Sequence, residues 1–174
     1  MLELIPPTVS LHTAWLEARE EWGPGVHEDG FGLRPSDEVD SPAGFAAWVA
    51  RLAEQSDPAK PLGAGRVHCT YRWIVEDDRV LGGIALRHEL NHFLLQVGGH
   101  IGYGIRPSAR RRGLATWALG RMLEEARVLG LDRVLVACEA GNVASAKTIE
   151  RQGGVLEDVR DTELGTVRRY WIEI

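Results

Sequence analysis

The chain has 174 residues, of which 44% are hydrophobic, so it can form one domain with a full core and needs neither disulfides nor a metal for stability. Its net charge is −5, and residues 61–174 carry only a small excess of bases, sixteen against fourteen acids. This balance, without an extended basic stripe, argues against a nucleic acid as the main partner.

The N-terminal third of the sequence predicts one short strand and two helices. Leu2 to Ile5 is the strand, and apolar residues at helical spacing over 9–22 predict an amphipathic helix. The segment 23–40 is rich in glycine, proline and acids and is expected to be a loop. A second helix should begin at Ser41, which is followed by Pro42 at the first helical position.

From residue 67 the pattern changes to strands. Residues 67–75 and 79–87 predict an antiparallel hairpin, and residues 91–97 a short helix closed by two glycines. A further strand is expected at 100–106, before a long amphipathic helix at 115–129.

The remaining elements are a strand, a helix and two final strands. They are expected at 133–138, 143–152, 155–159 and 167–172. The main elements therefore follow the order β-α-α-β-β-β-α-β-α-β-β, with no internal repeats. This order predicts a single α/β domain over 1–174, in which an N-terminal helical part, 1–66, is attached to a sheet-forming part, 67–174.

The sequence lacks the features of membrane and secreted proteins. No run approaches the roughly 18 apolar residues of a membrane span, and the N-terminal residues do not have the pattern of a signal peptide. Cys69 and Cys138 are far apart and stand among strand-type residues, so we expect two buried free thiols. A cytoplasmic location without a membrane partner is the expectation.

One segment carries a signal for anion binding. Between the strand ending at Ile105 and the helix after it lie three arginines, Arg110 to Arg112, then Gly113 and the small Ala115. A helix N-terminus presents unpaired N–H groups and a positive dipole end to phosphate oxygens. Glycine allows close approach and the arginines add charge, so the sequence predicts a phosphate-binding loop.

These residues resemble a known family. Arg110-x-x-Gly113-x-Ala115 is similar to the pyrophosphate motif of the GNAT N-acetyltransferases, and the order of elements over 67–172 is similar to theirs. The segment 98–103 also resembles a subgroup of uncharacterised predicted acetyltransferases. The resemblance implies a mixed, mostly antiparallel sheet of seven strands with a splayed central parallel pair, flanked by about four helices.

The resemblance also implies acetyl-CoA as co-substrate, with no metal. The acetyl group would pass directly to an amine, and pantetheine would lie between the strand at 103–105 and the strand at 134–138. A backbone N–H near Tyr103 would polarise the thioester carbonyl. The cofactor-binding residues implied in this way are Tyr103, Gly104, Ile105, Arg110, Arg111, Arg112, Gly113, Leu114, Ala115, Thr116, Asn142 and Lys147.

One position departs from the family pattern. Many members have a tyrosine seven residues after the asparagine, as general acid for the leaving thiolate, whereas this chain has Ile149 there and Gly154 at the next expected aromatic position. Tyr103 is a candidate substitute. We expect that the thiolate is protonated by water instead, with Tyr103 packing as a strand residue.

The general base has three candidates. An alkylamine arrives protonated at neutral pH and must lose a proton before it attacks. Glu139 follows the fifth strand, close to the expected acetyl position; His100 opens the fourth strand, and Glu89 lies near the end of the third. A zinc site formed by His88, Glu89 and His92 is disfavoured, because His88 lies on a predicted strand and acetyl transfer needs no metal.

The acceptor wall is expected from residues 8–60, and residues 1–60 carry eleven acids and four bases. These acids could attract a cationic amine, or could simply form a solvated surface. Trp15, Trp22 and Trp48 lie on apolar helix stripes and are expected in the core. The acids considered for the acceptor wall are Glu20, Glu21, Glu28, Asp29, Asp37 and Glu38.

The sequence therefore predicts an acetyl-CoA-dependent N-acetyltransferase whose acceptor is a small-molecule or peptide amine. A homodimer is left open. The alternative is a non-catalytic acyl-CoA-binding or regulatory domain of the same fold, and the absent tyrosine is the feature that favours it.

Overall fold

Within residues 1–24 and 29–174, which the computed structural model describes, seven strands and four α-helices follow one another in the predicted order. The strands are β1 Leu2–Ile5, β2 Cys69–Glu76, β3 Arg79–Arg87, β4 Ile101–Ile105, β5 Arg133–Glu139, β6 Val155–Thr162 and β7 Gly165–Glu173. The helices are α1 His12–Trp22, α2 Pro42–Ser56, α3 Leu114–Val128 and α4 Val143–Arg151. Short helical turns occupy Val9–Leu11, Leu94–Gly98 and Pro107–Ala109.

The strands form two antiparallel sheets, which meet at β4 and β5. The first has the order β1-β2-β3-β4 and the second the order β5-β7-β6. The amide of His100 donates to the carbonyl of Leu135 at 2.7 Å, and the amide of Leu135 donates to His100 Nδ1 at 2.9 Å. No ladder joins β4 and β5 over their described residues, so the expected splay takes the form of a gap between two sheets.

The first sheet is covered on both faces. Trp73 and Ile74 are neighbours on β2, and alternation sends their side chains to opposite faces. Trp73 packs in an aromatic cluster under α1 and α2, with Trp15, Phe45 and Trp48, whereas Ile74 packs in a core that includes α3 and α4.

Local sequence signals account for most element boundaries. Ser41 Oγ accepts the amide of Gly44 at 3.0 Å and Pro42 opens α2, as predicted. β3 has the predicted bounds, and Cys69 and Cys138 are buried free thiols, which confirms both predictions. Most other bounds differ by one to three residues, and two elements differ more: the helix expected at 91–97 is a π-helical turn, and β6 continues to Thr162 because it pairs with β7 along that length.

No helix among the described residues is long and apolar enough to cross a membrane.

Candidate functional site

A cleft of about 660 Å³ lies where the end of β4 meets the first turns of α3 and α4. We call it the central cleft. It contains every residue of the predicted cofactor set except Arg112. Its lining residues are Trp22, Tyr103, Gly104, Ile105, Ala109, Arg110, Arg111, Gly113, Leu114, Ala115, Thr116, Asn142, Val143, Ala144, Ser145, Lys147, Thr148 and Arg151.

The N-terminus of α3 forms one end of the cleft. Gly113 caps the helix in the left-handed conformation, φ 76°, and has no side chain to accept the first amides. The first helical bond runs from the amide of Trp117 to the carbonyl of Gly113, so the amides of the three residues between them have no intrahelical acceptor. A Cβ built on Gly113 would meet nothing within 4 Å. The arrangement suits an anion that approaches the helix along its axis.

The three arginines before Gly113 are placed differently. Arg110 lines the cleft, and its Nε donates to the carbonyl of Ile105 at 3.0 Å, which ties the loop to the end of β4. Arg111 also lines the cleft and has a left-handed backbone, φ 64°. The side chain of Arg112 points elsewhere, because it donates to both carboxylate oxygens of Glu76, at 2.9 and 3.0 Å. Of the three arginines before Gly113, two therefore line the cleft.

The N-terminus of α4 forms the facing wall. Asn142 caps this helix, and its Oδ1 accepts the amide of Ser145 at 3.1 Å. The cap leaves the amide nitrogen of the Asn142 side chain as the group available to a cofactor arm. Lys147 lines the cleft with an exposed side chain, one turn further along the helix.

A hydroxyl pair lies inside the cleft. Tyr103 Oη and Ser145 Oγ are 2.7 Å apart, so a hydrogen bond links β4 to α4 across the gap. Burial raises the pKa of Tyr103 to about 12, against a smaller lowering by the Ser145 hydroxyl. Sequence reasoning missed Ser145; the signal available was its spacing, three residues after Asn142 and therefore on the same helix face.

The position usually held by tyrosine lies in the core. Ile149 is fully buried among residues of α3 and β7. A Cβ on Gly154 would come within 2.5 Å of the Ile149 side chain. We therefore expect neither position to place a hydroxyl in the central cleft, so a hydroxyl acid would have to come from another lining residue, such as Tyr103 or Ser145.

The acidic base candidates lie outside the central cleft. Val134, Val136 and Cys138 of β5 point into the core, so alternation directs Glu139 to the opposite face of the sheet. Glu139 is exposed at the end of β5, beside the gap, and its carbonyl accepts the amide of Asn142 at 2.9 Å. Glu89 is exposed and follows the end of β3.

His100 has a structural position at the junction of the two sheets. Its side chain is 5% exposed, and Nδ1 accepts a backbone amide, so the ring proton lies on Nε2. Burial, together with the positive charge of Arg87, lowers the pKa of His100 to about 4. The ring is thus held neutral, with its basic nitrogen already occupied.

This burial predicts a pH-dependent stability. An unfolded chain protonates histidine near pH ~6.5, whereas folded His100 stays neutral down to about pH 4. Between these values the unfolded state binds the additional proton, so the free energy of unfolding should fall as the pH drops, by at most about 3 kcal/mol. Urea denaturation should show a shallower fall for His100→Gln than for the wild type. If the free energy of unfolding fell equally with pH in the variant and the wild type, His100 would not be the residue responsible.

His88 also has a local partner. Its Nε2 is 2.7 Å from the hydroxyl of Thr70, and its ring stacks on that of His68. Among residues 1–24 and 29–174, no three side chains of His, Cys, Asp or Glu are grouped as metal ligands.

The acids considered for the acceptor wall have structural partners in most cases. Asp37 Oδ2 accepts from Arg51 at 2.5 Å, and Glu38 accepts the amide and hydroxyl of Ser41 at 2.9 and 2.6 Å. Asp29 accepts the amide of Phe31, and Glu21 binds the turn after β4. Glu20 is exposed, and Glu28 lies outside the described residues. Trp15 and Trp48 are in the core as expected; Trp22 is partly buried against the same core and also lines the central cleft.

Comparisons with known proteins agree with this geometry. The sequence matches the family model described as acetyltransferase (GNAT) domain over residues 6–155. A comparison with curated proteins gave no significant match.

Solved structures share the fold at low sequence identity. An acetyl transferase from Salmonella typhimurium that modifies the N-terminal serine of 50S ribosomal subunit protein L7/L12 is 17% identical, with a TM-score of 0.70 over 99% of this chain and 95% of that chain. The ribosomal L7/L12 alpha-N-protein acetyltransferase RimL, in complex with coenzyme A, is 17% identical, with a TM-score of 0.72 over 99% and 94%. The Microcin C7 self immunity acetyltransferase MccE, in complex with acetyl-CoA and AMP, is 15% identical, with a TM-score of 0.69 over 99% and 92%.

Proposed function

The chain belongs to the GNAT family of acetyltransferases, and from that premise we propose that it transfers an acetyl group from acetyl-CoA to an amine by direct attack. The observation that carries the proposal is the central cleft. Within one space of about 660 Å³ it joins a helix N-terminus without a side-chain cap, a strand edge that no described strand pairs with, and a hydroxyl pair.

The residues of the cleft fit acetyl-CoA at two points. The free amides of α3, with Arg110 and Arg111 beside them, suit a pyrophosphate, and the space around Gly113 admits it. β4 pairs with β3 along one edge only, so the edge facing β5 can bond the amides of an extended pantetheine arm. Gly104 and Ile105, which lie on that strand, line the cleft.

Acetyl-CoA supplies the acetyl group as a thioester, which an amine can attack once it has lost its proton. A main-chain amide of β4 near Tyr103 would hold the thioester oxygen and stabilise the charge that develops there. The two sheets leave a gap between β4 and β5, so an amine could reach the thioester from the face opposite α3 and α4.

We assign the base role to Glu139. Its position at the end of β5, beside the gap and directed to the face away from α3 and α4, supports this role. His100 is less suited, because burial holds it neutral and Nδ1 already accepts an amide. Glu89 follows β3, which is separated from the gap by β4, and remains the second candidate.

Replacing Tyr103 with phenylalanine tests how the thiolate is protonated. The raised pKa of Tyr103, about 12, makes its hydroxyl a weaker acid, and a thiolate of pKa ~8.5 can leave without a side-chain acid, so we expect solvent to protonate it after it has left. We expect Tyr103→Phe to retain at least about a third of the turnover, since the loss is limited to one hydrogen bond. Initial rates at saturating acetyl-CoA measure this.

The opposite result for Tyr103→Phe would be a selective loss of turnover. A decrease of about tenfold or more, with unchanged affinity for acetyl-CoA, would make Tyr103 the acid. Ser145→Ala would then show whether the partner hydroxyl takes part in the same step.

The proposed acceptor is a primary amine of a small molecule or peptide. A structural neighbour modifies an N-terminal serine, so peptides that begin with serine belong in the first panel, beside polyamines and amino acid amines. Release of free thiol from acetyl-CoA should depend on one class of amine. Binding of acetyl-CoA without amine-dependent thiol release would favour the non-catalytic alternative.

A further inference from the structure

A buried arginine follows β4 and takes its counter-charge from α1. Arg106 is 4% exposed; its backbone amide donates to Leu81, which extends the β3–β4 pairing by one bond. The guanidinium donates from Nε to Glu21, from Nη1 to the carbonyl of Val80 at 3.3 Å, and from Nη2 to Glu17 at 3.4 Å. A buried charge is costly unless it is paired and hydrogen-bonded, so α1 supplies an interaction that this position requires.

Glu21 also holds the turn that follows. Its Oε1 accepts the amide of Ser108 at 2.7 Å, and its Oε2 accepts the Ser108 hydroxyl at 3.0 Å in addition to Arg106. The turn Pro107–Ala109 has no side-chain cap from Arg106, the residue before it. Glu21 therefore performs the capping role from another helix. These hydrogen bonds, the hydroxyl of Ser108 first, lower the pKa of the Glu21 carboxyl.

The turn Pro107–Ala109, to which Glu21 is bonded, leads directly into the phosphate-binding loop. Ala109 and Arg110 line the central cleft, and Gly113 follows only four residues after Ala109. The next residue of α1 after Glu21, Trp22, lines the same cleft. Residues 110–113 are exposed, so apart from the bonds of Arg110 to Ile105 and of Arg112 to Glu76 few contacts fix them. The position of the loop therefore also depends on the turn at its start.

We propose that Glu21 and Arg106 form a clamp that positions the phosphate-binding loop and thereby sets the affinity for acetyl-CoA, without either side chain contacting it. The inference rests on the proposed function. Glu21 and Arg106 are positioning residues: they act through Ser108 and the turn Pro107–Ala109. The N-terminal helix is thus part of the cofactor site as well as of the expected acceptor wall.

The test is Glu21→Gln, measured by calorimetry with acetyl-CoA and by steady-state kinetics. The amide keeps the size of the side chain, but it loses the charge that pairs with Arg106 and one acceptor for Ser108. We expect Kd and KM for acetyl-CoA to rise about tenfold, with kcat changed less than about twofold, because the reacting groups stay in place. Glu124→Gln, which removes the exposed ion pair with Arg121, is the matched control and should leave Kd unchanged.

The possible outcomes are distinct. A lower melting temperature with unchanged Kd and KM would mean that the clamp only stabilises the fold, and would overturn the proposal. If Glu21→Gln does not fold, Ser108→Ala removes one of the same contacts from an exposed residue and should raise Kd by about twofold to threefold; an unchanged Kd there also overturns it. Absence of acetyl-CoA binding by the wild type would instead show that the proposed function is wrong.

Discussion

Replacing Glu139 with glutamine is expected to lower turnover by about 10²–10⁴-fold, the usual contribution of a general base. Glutamine has the same shape but cannot accept a proton from the amine, so the protonated acceptor would remain non-nucleophilic. The position of Glu139, exposed beside the gap between β4 and β5, gives the carboxylate access to an amine on the acceptor face. Binding of acetyl-CoA should stay unchanged, because Glu139 does not line the central cleft.

The measurement is the rate of thiol release at saturating substrates over about pH 6–9, since a base is needed most where the amine is fully protonated. Glu173→Gln is the matched control: Glu173 is an exposed carboxylate at the opposite end of the β5–β7 ladder and should not affect the rate. A loss below about threefold for Glu139→Gln across this range would exclude Glu139. The same substitution at Glu89 would then be the next test.

Gly113→Glu is expected to abolish binding of acetyl-CoA, with Kd raised at least about 100-fold, or about 2.7 kcal/mol. A Cβ at this position meets nothing within 4 Å, so the new carboxylate has room to lie beside the N-terminus of α3. There it would compete with the pyrophosphate for the free amides of α3 and repel its charge. Most of the core of α3 should be unaffected, because its buried residues other than Leu114 begin at Ala118, one turn further along the helix.

Gly113→Ala is the control that separates the effect of the glutamate side chain on binding from the effect of backbone strain at residue 113. Alanine also has to adopt φ 76°, at a cost of about 1–2 kcal/mol, but adds only one methyl group. We expect it to lower the melting temperature as much as Gly113→Glu does while Kd rises less than about tenfold. Calorimetry with acetyl-CoA measures both variants. Near-native affinity in Gly113→Glu would show that the helix N-terminus does not hold the pyrophosphate.

Elements that depend on neighbouring residues were predictable from the sequence. Ser41 and Pro42 start α2 through contacts within four residues, and the bounds of β3 follow from a continuous apolar run between charged ends. The loop before α3 was predictable for the same reason, because its arginines, Gly113 and the start of the following helix are close neighbours in the sequence. Eleven of the twelve residues predicted to bind the cofactor line one cleft, and their role remains a prediction.

Contacts between distant segments were not predictable. Arg112 forms an ion pair with Glu76, 36 residues away, so its guanidinium does not line the cleft. Asp37 and Glu21 read as part of an acidic surface, but each pairs with an arginine that only the tertiary fold brings near. The apolar helix stripe predicted that Trp22 packs against the core, which it does, but not that it also lines the central cleft.

The separation of the strands into two sheets was also not predictable, because it too depends on contacts between distant segments. The strand pattern predicts β4 and β5 but not how many hydrogen bonds they share, because register between strands far apart in the chain depends on packing. In the structure a single histidine, His100, joins them at one end, through its amide and its ring. The gap that carries the proposed chemistry therefore depends on a residue whose contacts with β5 the sequence did not indicate.

A crystal structure of the protein with coenzyme A tests the central claim most directly. The account predicts the pyrophosphate within hydrogen-bond distance of the amides of Leu114 to Thr116, between about 2.7 and 3.2 Å. It also predicts the pantetheine arm along the free edge of β4, with the thiol near the hydroxyls of Tyr103 and Ser145. A pyrophosphate bound elsewhere, with the amides at the start of α3 facing only solvent, would contradict it.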